Sequence, residues 1–340
     1  MSLPPEAGLA ETVAWAVAHA TLAPSLMNSQ PWRFCADLDE RRAQGRLELY
    51  VDRDRVLSHL DPTGREAVLA CGAALLNLRL ALRGASLGAT VSVLPDPLQP
   101  DLLAVLAIRT NGREHPADGV LRQAIPARAT CRQPFDLTPV TNDVLDHLIA
   151  EAAYEGALVA TLDERQWSDV MSLADNARTR GESDPAFGAD LARWARSNLD
   201  DADDGLPGWA HGLGLLASLE EPWRLRHASS HVAAQIATMD AAQPGQLIVI
   251  GAPADERSAV VRAGCGLQRV LLTAAVQGMG ARFLDEALRY PDLRIELGRV
   301  VGLDHPQCVL HLGHVSGRQQ ATRRRPVESV LQLRTSLPGG

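Results

Sequence analysis

The chain has 340 residues, 46% of them hydrophobic and 22% charged, which is enough apolar side chain to bury one large core or two ordinary ones. Its 33 basic and 41 acidic residues leave a net charge of −8, which argues against nucleic acid as a partner, since a polyanion needs a cationic face. All the basic residues are arginine, so a lysine Schiff base and a P-loop are both excluded, and any anionic cofactor must be held by guanidinium and backbone N–H groups.

In chain order, the amphipathic stretch ETVAWAVAHATL predicts a first helix, which Pro24 ends. Residues 23–34 read A-P-S-L-M-N-S-Q-P-W-R-F. Two prolines bracket Ser25, Asn28, Ser29 and Gln30, and Pro31-Trp32 opens an extended run. So many donors and acceptors suit a binding loop as well as a plain turn. A long apolar helix from Arg65 ends in glycine and leads to the strand LLAVLAI at 102–108. Residues 110–127, rich in Gly and Pro, read as a connector. In the extended segment 128–135, two-residue alternation puts Arg128, Thr130 and Arg132 on one side, where they suit an anion with a polar tail. The stretch from about 178 to 225 holds Trp194, Trp209 and Trp223 among many Gly, Pro and Asp, and reads as a lid-like surface insertion, with the Asp200–Asp204 run as a solvated loop. A second apolar helix begins near 257 and precedes the strand QCVLHLGH at 307–314. Near the end, Arg323-Arg324-Arg325-Pro326 offers guanidinium groups that can grip a phosphate bidentately.

The two apolar helices are related. At an offset of 192, residues 65–89 lie without a gap over 257–281, with identities at Arg65, Ala67, Val68, Gly72, Leu75, Leu80, Gly88 and Ala89. Both helices are apolar on nearly every face, which predicts burial on all sides. The arrangement suggests an ancestral homodimer fused into one chain, with an α+β fold of two related halves, each a sheet flanked by helices, packed as a pseudo-dimer. The halves would be residues 1–115 and 116–340, the second carrying the insertion. The molecule would be a monomer of pseudo-dimeric halves or a homodimer of these.

Several motifs mislead. G-x-S-x-G at 84–88 follows a helix and precedes a strand, the reverse of a hydrolase elbow. The glycine run at 212–217 lacks the preceding apolar strand of a dinucleotide fingerprint. The pairs His227/His231 and His311/His314 have no third ligand nearby, so no metal is expected. Cys35, Cys71, Cys131, Cys265 and Cys308 are scattered without a C-x-x-C, as in a reducing compartment. The first basic residue is Arg33, and no uninterrupted apolar run reaches the 18 or so residues of a membrane span, so no membrane association is expected and a cytoplasmic location is.

Taken together, A-P-S-x-x-N-x-Q-P-W at 23–32, R-x-T-x-R at 128–132 and the late arginine cluster resemble the FMN-dependent nitroreductase family, and the fused two-copy layout resembles its Acg-like branch. The resemblance covers most of the chain. It implies an NAD(P)H-dependent FMN oxidoreductase that passes a hydride through FMN to a small-molecule electron acceptor such as a nitroaromatic or quinone. An FMN-binding or sequestering protein with little reductase activity is the alternative. It further implies that Pro24, Ser25, Asn28 and Gln30 border the cofactor and that Arg128 with one or more of Arg323, Arg324 and Arg325 holds its phosphate. Arg132 would lie near the pyrimidine end, Thr130 would also bind the cofactor, and Phe283 and Leu284 would border the ring. No side-chain acid or base is demanded, because the flavin carries the hydride chemistry. The reciprocal site lacks these motifs, since AYEGALVATL follows the second half's matching helix in place of an A-P-S loop; one FMN per chain is therefore expected.

Overall fold

The computed structural model describes Leu3 and residues 6–110, 112–196, 202–211, 244–317 and 319–334. Helix α1 (Leu9–Ala20) buries Val13, Ala16 and Val17 and is followed by β1 (Trp32–Asp39) and β2 (Gln44–Val51), an antiparallel hairpin that pairs Trp32 with Val51. Helix α2 (Arg65–Gly84) begins where Asp61 accepts the N–H groups of Glu66 and Ala67, two donors that the first helical turn leaves without partners. Strands β3 (Leu87–Val93) and β4 (Leu102–Thr110) complete a sheet of order β1-β2-β4-β3.

The chain then forms α3 (Pro116–Ala124), α4 (Asn142–Tyr154), β5 (Leu158–Thr161), α5 (Glu164–Glu182), α6 (Pro185–Trp194) and the short β6 (Ala195–Arg196) and β7 (Leu206–Pro207). There follow β8 (Gln246–Gly251), α7 (Arg257–Val276), β9 (Met279–Phe283), α8 (Pro291–Val301) and β10 (Pro306–His314). The second sheet has the order β5-β8-β10-β9. Leaving the C-terminal strand aside, both sheets place the first strand of the group at one edge and the strand after the long helix at the other, with antiparallel pairings between them. Strand β11 (Leu331–Arg334) returns to the first sheet, parallel to β1, pairing Leu331 with Phe34.

Helices α2 and α7 cross at the centre of the core, and each is 20 residues long. Glycine at both crossing positions permits the approach. A Cβ on Gly72 would sit 2.2 Å from the Val261 carbonyl oxygen, and one on Gly264 would sit 2.1 Å from that of Leu69. Leu69 and Val261 are themselves 192 positions apart, as are Gly72 and Gly264. The same offset relates Ser86 and Gly278, both left-handed (φ 61° and 73°), where each long helix turns into its strand. Both helices are long and apolar enough to cross a bilayer, yet 83% of each apolar window is buried inside the protein.

Three sequence expectations change. The supposed connector contains α3, which packs against both long helices and buries Asp118, Gly119 and Leu121. A proline at its first turn and an amphipathic face form a helix despite the Gly and Pro content. Helix α5 runs unbroken to Glu182, across the expected start of the insertion near 178. Nor is Trp194 a surface residue: it is 3% exposed, packed with Leu57 and Leu60. Asp190 anchors this helix by accepting the N–H groups of His59 and Leu60 at 2.7 and 2.9 Å. Asp204 is paired rather than solvated, bound by Arg55 and Arg196. Asp200, the 212–217 run, Trp223, His227 and His231 lie outside the described residues. His311 is fully buried, edge-on to Phe135 and Trp167. Among the described residues no group of three His, Cys, Asp or Glu side chains could hold a metal. All five cysteines are free and buried.

The crossing can be tested directly. Gly72→Ala is expected to destabilise the chain by about 1–3 kcal/mol, because backbone lies where the methyl must go. Gly188→Ala in α6, where nothing lies within 4 Å, should be neutral or stabilising by up to about 1 kcal/mol. Urea unfolding of the two variants measures the contrast.

Candidate functional site

A cavity of about 230 Å³ opens where the loop after α1, the start of α2, the end of β9 and the C-terminal tail meet. Pro24, Ser25, Leu26, Met27 and Asn28 line it from the loop, and Glu66, Leu69 and Ala70 from α2. Thr130 and Arg132 come from the segment before α4, Phe283, Asp285, Glu286 and Arg289 from the turn after β9, and Thr322 and Arg324 from the tail. Leu267 of α7 and Leu206 of the insertion complete the wall.

The loop is held in an uncommon conformation. Met27, Asn28 and Gln30 all have left-handed φ (51°, 53° and 53°), which costs a non-glycine residue roughly 1–2 kcal/mol. Side-chain hydrogen bonds hold it there. Asn28 Nδ2 donates to the carbonyls of Gly205 and Arg323 at 3.0 and 3.1 Å, while its Oδ1 accepts from Arg324 Nη1 at 3.0 Å. Gln30 has no exposed surface; its Nε2 donates to the Asp203 carbonyl at 2.8 Å and its Oε1 accepts the Arg325 N–H at 2.9 Å. Ser25 Oγ accepts the Gln30 N–H at 3.0 Å. The loop therefore joins the insertion and the tail to the first half.

Arginines concentrate at one end. Arg128 is 7% exposed; its Nη2 donates to the Leu22 carbonyl at 3.1 Å, and its buried Nε has no hydrogen-bond partner among the described residues. Arg132 donates through Nε to the Ala210 carbonyl at 2.9 Å and lies 5.4 Å from the Trp209 ring. Arg324 donates to the carbonyls of Thr21 and Ala23. Among the described residues none of the three pairs with a carboxylate. Burial, with Arg132 beside it, pushes the Arg128 guanidinium down to about 10. Burial, with Arg128 and Arg132 beside it, brings Arg324 down to about 9. One buried and two half-buried cations close to one another make a site for an anion.

The sequence-derived residues divide accordingly. Pro24, Ser25, Asn28, Thr130, Arg132, Phe283 and Arg324 line the cavity, and Arg128 stands against its cationic end. Gln30 and Arg325 lie behind the wall as struts, with the Arg325 side chain donating to the Ser329 carbonyl. Arg323 is exposed and contributes its carbonyl. Leu284 turns into a separate core with Leu162, Val249 and Leu297, away from the cavity. Sequence reasoning missed Glu66, Asp285, Glu286 and Arg289. Glu66 sits in the repeated helix, and its polar position there, where the second copy has Ser258, was the available signal.

No family model matches the chain. It is 28% identical over 339 residues to an uncharacterized protein of Mycobacterium tuberculosis, covering 96% of this chain and 94% of that one. It is 27% identical over 333 residues to a protein of the same organism provisionally named NAD(P)H nitroreductase acg, covering 94% and 95%. A second provisionally named NAD(P)H nitroreductase of that organism is 29% identical over 309 residues, covering 89% and 85%. The chain resembles the Acg-like nitroreductases along nearly its whole length. Among solved structures, a nitroreductase with bound FMN from Desulfitobacterium hafniense aligns over 61% of this chain and 95% of its own, at 14% identity and a TM-score of 0.38.

The cationic end makes a test possible without a cofactor. Inorganic phosphate is expected to raise the thermal unfolding midpoint, by about 2.7 kcal/mol of added stability at a hundred times its Kd. Burial, with Arg128 and Arg132 beside it, holds Arg324 below the usual arginine range, so the phosphate effect should be full at neutral pH and weaken only in the alkaline range. Calorimetry with and without phosphate at several pH values checks both statements.

Proposed function

We propose that the chain is an FMN-dependent oxidoreductase of the nitroreductase type, binding one FMN and reducing a nitroaromatic, quinone or similar small acceptor with NAD(P)H. The observation that carries this reading is the cluster of the buried Arg128 and the half-buried Arg132 and Arg324 at one end of the cavity, none of them paired with a carboxylate among the described residues. The orphaned Arg128 Nε adds a donor that a phosphate oxygen would satisfy. The relatives named as NAD(P)H nitroreductases support the reaction class.

When bound, FMN would supply the hydride chemistry. Arg128 and Arg324 would hold the phosphate, and Arg132 would place a positive charge toward the pyrimidine end, favouring the negative charge of reduction. Phe283, Leu69 and Pro24 would exclude water from the ring.

One site per chain is supported by a second cavity. Applying the offset of 192 to Leu69, Ala70, Leu267, Phe283 and Asp285 gives Val261, Arg262, Leu75, Val91 and Val93, and all five line a cavity of about 330 Å³ with Tyr154 and Glu155. Two of its three arginines are already neutralised. Arg79 pairs with Glu155 and Arg83 with Asp118, both at 2.5 Å. We read this as the disabled reciprocal copy in a fused pseudo-dimer, with Glu155 standing where the first site leaves its arginines open.

The sequestering alternative is favoured by one observation. Residues 202–211 lie over the cavity edge, with Leu206 in its wall and Trp209 and Ala210 on Arg132. Nicotinamide access decides between the two.

Protein supplemented with FMN and desalted is expected to retain about one FMN per chain and to bleach with NADH or NADPH under anaerobic conditions. Flavin that only dithionite reduces would favour sequestration, and two per chain would overturn the half-site reading. Arg128→Ala should lose the flavin while keeping its circular dichroism spectrum; retention of stoichiometric flavin would refute the phosphate assignment.

A further inference from the structure

The end of the cavity opposite the arginines carries an excess of carboxyl groups that the proposed hydride chemistry does not use. Glu66, in the first turn of α2, and Asp285, just after β9, both line the wall. Asp285 accepts the Val309 N–H at 2.6 Å through Oδ1 and faces the Cys308 thiol, 3.7 Å from Oδ2. Glu66 meets Arg65 at 3.4 Å. Asp61, on the turn before α2, and Glu286, on the turn after β9, stand close by. Glu286 Oε2 is buried without a hydrogen-bond partner among the described residues.

Against these four carboxyls the packed elements offer Arg65 and Arg289, with the Cys308 thiol as the further titratable group. Arg65 is also engaged by Gln307, donating to its carbonyl at 2.6 Å, and Arg289 lies 5.6 Å from the Phe187 ring. Two guanidinium groups cannot neutralise four carboxylates in so confined a space, so protons must make up the difference.

We propose that Glu66 and Asp285 form a redox-linked proton pair, which takes up a proton from water when negative charge enters the cavity with a reducing electron pair. The inference rests on the FMN reading above. The electron pair and the hydride's own proton go to the cofactor; the additional proton forms an O–H bond on one carboxylate, leaving hydroxide to the buffer. The pair releases that proton when the electrons leave for the acceptor. Burial and the facing Glu66 push Asp285 up to about 7, so the exchange falls near neutral pH. Burial raises Glu66 as well, with Arg65 and Arg289 opposing. The pair acts through the field at the ring and is a positioning device, not a group that attacks substrate.

The test is the pH dependence of the midpoint potential of the FMN-loaded chain, measured by equilibration with redox dyes from about pH 6.5 to 9. Its slope gives the protons taken up per two electrons. The natural chain is expected to exceed Glu66→Gln and Asp285→Asn by a fraction of a proton, up to about one, between about pH 7 and 8.5. A merely structural role would change flavin affinity and leave the slope alone. Equal slopes in the natural chain and in whichever variant folds overturn the proposal. If the natural chain retains no flavin on desalting, the cofactor reading fails first, and this proposal with it.

Discussion

The contact between Gly72 and Gly264 sets the distance between α2 and α7, and the candidate site inherits its geometry from that distance. Glu66, Leu69 and Ala70 lie within two turns of Gly72, and Leu267 lies one turn beyond Gly264. A wider crossing would separate the α2 wall from the α7 wall. The close approach also explains why both helices are apolar on nearly all sides: each is surrounded by the other and by the neighbouring helices and sheets, so little of either is left to water.

Around this centre, the loop of residues 23–34 works as a joint more than as a row of ligand groups. Its left-handed backbone at Met27, Asn28 and Gln30 carries a local cost, and the hydrogen bonds of Asn28 and Gln30 to residues 203, 205, 323 and 325 offset it. Three segments distant in sequence are thereby gathered at one cavity. The insertion is fastened in addition by Asp190, Asp204 and the buried Trp194, so its described part is an integral wall.

Charge is distributed unevenly along the cavity. Arginines without carboxylate partners stand at one end and carboxyls in excess of guanidinium at the other. The second cavity, lined by residues 192 positions away from five that line the first, pairs its Arg79 and Arg83 with Glu155 and Asp118. Two pockets of shared scaffold thus differ in whether their cations are free to meet a ligand, and the difference comes from a few residues outside the repeated helices.

Local sequence determined the long helices, the strands that follow them, the turn at Pro24 and the sites of Arg128, Arg132 and Arg324, because periodicity, proline and charge leave traces within a few residues. It misread residues 110–127, whose Gly and Pro content concealed the amphipathic face of α3, and placed Trp194 in solvent, because the residues that bury it, Leu57 and Leu60, lie far away in the chain. It also took Gln30, Arg325 and Leu284 for cavity residues. Only the tertiary structure decided that Gln30 faces Asp203 and the tail, that Leu284 faces another core, and that Glu66 of α2 and Asp285 after β9 line one cavity. Those outcomes depend on which distant surfaces bury one another, and burial is a property of the packed chain that no short stretch of residues carries by itself.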